Sequence, residues 1–399
     1  MIKKSDIVIL FFLVQPVVSS MTGLGIKYGL PINIGPLFYA FLMLLVIIDM
    51  PRRSLRLFVP VLGLFVLHFF LQLIINDTVW GDVESYIKIL LGFFLFSYFR
   101  GADISVSGFN KIVKGVSWAF YIYAILTIIS FAVGYQIKPG RGYYGFVYAA
   151  NELMLVLLFA VVVFLFLFQY GYRFNFIYIF SAYFLTMSKS AFIILPAFAS
   201  IVYRKHFFLL VVMLFVSVVA GFYVADFYWD NYFSKYLQDL EFSLVQLRLD
   251  SELMRQITYG RVVYFLDALD GGAFSVENLL LGNGVQGAMS VVFGKDGLEM
   301  DFFDALNAYG VLGVSYLVLF FYLPVFRNDY VGLSTKIAFS FIILYSFFAG
   351  HFYASPMVGF FYGIFLGLIS NRSLMSELRK KQLALNAFQV FPVKIRWAK

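Results

Sequence analysis

The chain contains no cysteine. That single absence excludes disulfides, thiolate nucleophiles and cysteine-based metal sites. Charge is also scarce: 13% of the 399 residues are Asp, Glu, Lys or Arg, 62% are hydrophobic, and mean hydropathy is +0.87. Soluble domains carry about a quarter charged residues, so a soluble class is excluded. The apolar stretches lack two-residue alternation, as in "ELMLVLLFAVVVFLFLF", which removes a transmembrane β-barrel. No internal repeat or low-complexity tract is visible, so an inverted-repeat transporter architecture has no support.

What is present is a succession of apolar runs long enough to cross a bilayer as helices, the mark of an all-α, polytopic integral membrane protein. Twelve spans are expected, at about 6–23, 35–50, 57–75, 85–99, 115–134, 150–170, 174–187, 190–203, 207–225, 303–325, 336–350 and 355–370. The seventh and eighth are short and predict a tilted hairpin. The N-terminal "MIKKSDIVILFFLVQPVVSS" has the look of a signal peptide but no small-x-small cleavage site, so it is expected to stay as the first span.

The net charge of +8 follows topology. With the N-terminus inside, the short inner segments hold most of the 30 Lys and Arg, yet only Asp6, Asp49, Asp103, Asp329 and Glu377 of the 22 acids. This is the positive-inside pattern; both termini are expected to be cytoplasmic, and nucleic acid is not the expected partner. The order is then nine N-terminal spans (1–225), one long outer loop (226–302), three C-terminal spans (303–370) and a basic tail (371–399). The tail is partly amphipathic and suits a surface of anionic headgroups.

Polar residues with no topological reason collect outside, in four patches: "KPGRGYYGFVYAANE" (138–152), "TMSKS" (186–190), the long loop with "LLLGNGVQG", and "AGHFYASP" (349–356). Arg141, Lys189, Arg248, Arg255 and Arg261 oppose the inside-positive trend. They either hold an anion, which an arginine fork grips in a bidentate way, or pair with Asp250, Glu252, Asp267 and Asp270 of the same loop. His351 is either an acid–base or phosphate group or a helix cap. "GNGVQG" lacks the Lys-Ser/Thr of a nucleotide loop and reads better as a turn that lets two backbones approach. Metal-ligand spacings are absent from the outer segments, so no metal and no cofactor are expected. Tyr143 and Tyr144 in "RGYYGFVY" either belong to the interfacial belt or offer stacking faces to sugar rings. In "EMDFFDALNAYGVLG", Asp301 and Asp304 share a helix face while Glu299 sits at or before the first turn, where the helix dipole favours anions.

Taken in order, these patches resemble the O-antigen polymerase and O-antigen ligase superfamily of bacterial surface-polysaccharide enzymes. The matching residues are Thr186, Ser188, Lys189 and Ser190; Gly282, Gly284 and Gly287; Glu299, Asp301, Leu306, Tyr309, Gly310 and Gly313; and Gly350, His351, Ser355 and Pro356. Arg261 and Gly272 resemble an arginine–glycine spacing of polymerase outer loops. Arg141 has Glu152 where that glycine would fall, and Lys189 stands where an arginine is often found. The resemblance implies a GT-C-like glycosyltransferase in the bacterial inner membrane that joins undecaprenyl-pyrophosphate-linked repeat units on the outer face, without metal or cofactor. Arg141, Lys189, Arg255 and Arg261 would offset charge on the leaving pyrophosphate, with Tyr143 and Tyr144 against the glycan. Glu299, Asp301 or His351 would take the acceptor proton. The lipid bilayer and a chain-length regulator protein are the implied partners. Ligases of this superfamily place a histidine where Glu299 stands, which favours polymerase; ligase and lipid-linked oligosaccharide flippase are the alternatives.

Overall fold

A computed structural model describes residues 4–30, 34–75, 81–137, 142–186, 261–270, 274–284, 300–349, 352 and 355–390. Among these the regular structure is all helical, with no strand. The helices are α1 (Lys4–Lys27), α2 (Ile34–Ile48), α3 (Arg52–Ile75), α4 (Gly81–Gly101), α5 (Val106–Ala132), α6 (Ala150–Phe168), α7 (Ile177–Leu185), α8 (Arg261–Asp270) and α9 (Val276–Leu281). Then come α10 (Asp301–Tyr316), continued through a π turn (Leu317–Tyr322) into α11 (Leu323–Phe326), α12 (Leu333–Ala349), α13 (Pro356–Ser370) and α14 (Arg372–Val390).

Five of the described helices are long and apolar enough to cross a membrane, or six if the bent pair Pro356–Ser370 and Arg372–Leu383 counts as one. The protein is thus a multi-pass helical membrane protein, the coarser form of the twelve-span expectation. The spans expected at 190–203 and 207–225 lie outside the described residues. α3 and α5 start earlier than hydropathy alone places them, because Arg52, Arg53, Lys111 and Lys114 extend the first turns while keeping their charges exposed. α4 carries Glu84 and Lys88 and falls short of the apolar criterion, yet it lies in the middle of the bundle.

Two kinds of helix follow from pattern and burial. α2 and α3 expose large apolar side chains, with Leu37 at 73% and Ile74 at 79%, as a lipid-facing surface requires. α6 and α13 are apolar on every side, and Met357 to Ile369 of α13 are buried throughout. α4 and α13 form the largest helix–helix interface. It is made possible by small residues: a Cβ on Gly363 would run into the Gly92 backbone. Lipid tails are as apolar as leucine, so close backbone packing of this kind is a main source of helix association in a bilayer. Gly363→Ala is therefore expected to lower stability by about 1–3 kcal/mol through overpacking. Gly359→Ala, whose new methyl would meet the Gly92 nitrogen at an ordinary 3.6 Å, should be far milder. Thermal unfolding of detergent-solubilised protein compares the two, and equal losses would contradict this account of the interface.

Within the π turn a carbonyl takes a donor from a neighbouring helix: the Tyr362 hydroxyl of α13 donates to Phe321 O. Tyr316 donates to Ile89 O of α4 at 2.8 Å. At one end of the bundle Asn371 closes the structure, donating to Phe99 O (3.0 Å) and Ala102 O (2.7 Å) where α13 turns by 70° into α14. The opposite end carries the C-termini of α1, α3, α5 and α12 and the N-termini of α2, α4, α6, α10 and α13, and the described parts of the polar patches lie there.

Candidate functional site

The loop after α5 is pinned from several sides. Lys27 at the end of α1 donates to Gln136 O at 2.7 Å and stands 4.2 Å from the Tyr135 ring centroid. Burial, with a smaller effect of neighbouring Tyr28, pushes the Tyr135 phenol up to about 12, so the ring beneath the ammonium stays neutral and offers its negative face. Gly145 N–H donates to Ser130 Oγ at 3.1 Å, and Tyr143 N–H to Leu185 O of α7 at 3.0 Å. The first patch is thereby joined to the helix that leads into "TMSKS". Tyr144 is 1% exposed and presents no open face; Tyr143 is half-buried and packs edge-on against Phe131 at 5.1 Å. Tyr148, from the same aromatic cluster, is the exposed one.

The acids of "EMDFFD" are engaged at the start of α10. Asp304 accepts the Met300 N–H at 2.8 Å, satisfying one of the orphan donors at the helix start. Asp301 is 1% exposed, and both its oxygens accept the Phe352 N–H, at 3.0 and 2.8 Å. A few residues on, Ser355 caps α13 by accepting the Val358 N–H at 3.3 Å. Ser355 lies close enough to Glu152, at the start of α6, to act on its carboxyl electrostatically. Phe352, between α12 and α13, is thus held by Asp301.

Glu152 faces a cleft of about 780 Å³ between α1, α2, α4, residues 147–149 and the first turns of α6 and α13. Ile26, Leu37, Ile87, Leu91 and Met357 give it apolar walls; Ser19, Thr22, Tyr39, Glu84, Lys88 and Tyr148 are its other polar or aromatic lining. Lys88 and Glu84 pair at 2.8 Å, four residues apart on α4. At the cleft, α2 is held to α1 by the Gly35 N–H to Thr22 Oγ1 bond (3.1 Å), and α4 supplies another wall. Behind its wall lies a buried polar cluster. Gln15 donates to Tyr39 OH (3.0 Å) and Ser19 Oγ (3.1 Å), and Tyr123 OH donates to Gln15 Oε1 at 2.6 Å. A second cavity of about 210 Å³, near the other end, is apolar apart from Asp49 and Tyr98, whose hydroxyl donates to Asp49 Oδ2 at 2.8 Å.

The long loop reaches the same end through α9. Leu281 O accepts from both His68 Nε2 and Gln72 Nε2 of α3, each at 2.6 Å. Since a carbonyl only accepts, Nε2 carries the hydrogen and His68 Nδ1 accepts from Tyr86 OH at 2.7 Å. Asn283 then pairs with Asn307, backbone to backbone at 2.7 Å and amide to amide at 2.6 Å. Gly310 breaks the helical φ/ψ run of α10 at this point (φ 60, ψ −149), and Gly282 (φ 74) lies backbone against backbone with Ala308 and Gly310. "GNG" is therefore a close-approach turn among its described residues.

Of the residues given a catalytic or substrate-binding role from the sequence, Asp301, Tyr143 and Tyr144 are described, and Arg261 only as the first residue of α8. Arg141, Lys189, Arg255, Glu299 and His351 lie outside the described residues. The structure adds Glu152, Lys88 and Glu84, which sequence reasoning passed over. Glu152 was visible as the residue standing in place of a glycine, and Glu84 and Lys88 as ionisable residues at the edge of an apolar run; such residues mark function in membrane helices. No group of three His, Asp or Glu side chains suited to a metal occurs among the described residues. No protein-family model and no curated protein matches the chain.

Proposed function

We propose that the protein is a polytopic, GT-C-like glycosyltransferase of about twelve spans in a bacterial inner membrane, both termini cytoplasmic. In this reading it joins undecaprenyl-pyrophosphate-linked oligosaccharide units into a surface polysaccharide of the O-antigen kind, on the outer face. The observation that carries the reading is the meeting of "GYYGFVYAANE", the "GNG" turn, "MDFFD", Phe352 and Ser355 at one end of the bundle, beside a cleft with apolar walls and a polar end. A lipid-linked glycan needs both kinds of surface. The pyrophosphate is itself the leaving group, so no nucleotide is required, and Arg141, Lys189, Arg255 and Arg261 are the cations proposed to offset its charge without a metal. Control of chain length is assigned to a partner protein.

One observation favours a second reading. Glu84, Lys88 and Glu152 are ionisable groups at a cleft between apolar helices, a feature also expected of a flippase for the same lipid-linked units. Deletion of the gene separates the readings. Loss of a polymerase leaves single repeat units on the surface lipid, whereas loss of a flippase strands them on the inner leaflet; loss of a ligase leaves polymer on the carrier lipid. Single surface units are the expected result. A deletion strain that still displays long polymer would overturn the proposal.

A further inference from the structure

We infer that the cleft is the acceptor-sugar subsite of the transfer proposed above, on which the inference rests, and that Glu152 is the catalytic base acting there. The charges in the cleft argue first. Lys88 is already paired with Glu84 at 2.8 Å, so the cleft's cation is neutralised. The remaining charged group is a carboxylate, which repels a pyrophosphate and accepts hydrogen bonds from hydroxyls. The other polar groups lining the cleft, Ser19, Thr22, Tyr39 and Tyr148, are neutral hydroxyls, a set that matches the donors and acceptors of a sugar.

Shape argues next. Ligand sites are typically clefts of roughly 300–1,000 Å³ with mostly apolar walls and a few convergent polar groups, and this one is about 780 Å³. Tyr148, 36% exposed at its rim, offers a ring on which the C–H face of a sugar can pack. Ser355, fixed as the cap of α13, lies beside Glu152. The pyrophosphate of the donor then belongs outside this cleft.

The step balances without a co-reactant. The acceptor hydroxyl oxygen forms a bond to the donor's anomeric carbon as its proton passes to a Glu152 oxygen. The bond from that carbon to the pyrophosphate oxygen breaks, and the electron pair leaves with the phosphate. Glu152 then releases its proton to water at the cleft mouth. The titratable groups around it are Lys88 and Glu84 from α4, Tyr39 from α2, Tyr148 from the segment before α6 and Tyr123 from α5; α1 contributes Ser19 and Thr22 to the cleft, and α13 its cap Ser355 beside Glu152.

The test uses the full-length protein in liposomes with lipid-linked single units extracted from the deletion strain, reading elongation. Glu152→Gln is expected to lower kcat about 100-fold or more, the contribution typical of a general base, with KM little changed. Glu152→Asp should retain part of the rate with a displaced acid limb of the pH–rate profile. Tyr148→Ala, at the rim, should raise KM for the acceptor several-fold while leaving kcat near wild type. Elongation by Glu152→Gln at the wild-type rate, with an unchanged acid limb, would overturn the base assignment while leaving the polymerase reading intact. Wild-type protein that moves single units across the bilayer and makes no ladder would overturn both.

Discussion

Asp301→Ala is expected to cost about 3 kcal/mol of stability and to reduce elongation to a small fraction of the wild-type rate. The side chain is almost fully buried, and both oxygens accept one backbone N–H, that of Phe352. Hydrogen bonds to an ionised acceptor are worth about 1.5–3 kcal/mol, and a buried donor left without a partner costs about 1–3 kcal/mol more. The damage should not stop at folding. Phe352 lies three residues before Ser355, the cap of α13, and the first turn of α13 lines the cleft, so a displaced Phe352 disturbs it. Asp301→Asn keeps one acceptor oxygen in the same place and should recover most of the stability and a measurable rate. If Asp301→Asn folds normally yet abolishes elongation as fully as alanine, Asp301 is an acid–base group rather than a holder of the segment. Thermal unfolding and elongation measured on the same preparations decide between the two.

Gly310→Val is the second large effect. At φ 60 and ψ −149, Gly310 occupies a region that only glycine visits without strain. A Cβ there would also sit 2.5 Å from Leu280 O. Backbone strain of about 1–3 kcal/mol, with the clash added, is expected to detach α9 and the "GNG" turn from α10. Hydrogen exchange reads this directly, as lost protection of residues 276–284. His68→Ala should be milder, about 1 kcal/mol, because Gln72 still donates to Leu281 O at 2.6 Å. Unchanged protection in Gly310→Val would show that the close approach does not hold the loop.

Sequence reasoning and structure meet most closely where the physics is local. The reading of "GNG" as a turn for close backbone approach needed only the conformational freedom of glycine, and Gly282 packs in that way. Asp304 as a helix-start group followed from its place in the first turn, and it accepts the Met300 N–H. Asp301 shared that first-turn position, but its engagement with Phe352 depends on how α12 and α13 return to α10, which spacing along α10 does not contain. Tyr144 and Tyr148 read alike in the sequence; packing buried the first and left the second at the cleft rim.

The multi-pass helical class was determined by the sequence alone, because a bilayer leaves every backbone polar group to be satisfied within its own segment, and only long apolar helices of this composition do so. That requirement is met residue by residue and is legible in hydropathy. The cleft and its carboxylate were decided only by tertiary structure. Glu152, Glu84, Lys88 and Ser355 come from two helices and the cap of a third, far apart in the chain, and what brings them together is the rotation of each helix about its own axis. Those rotations are set by contacts such as Gly363 on Gly92 and Thr22 on Gly35, and no local pattern specifies which of the many apolar faces will meet.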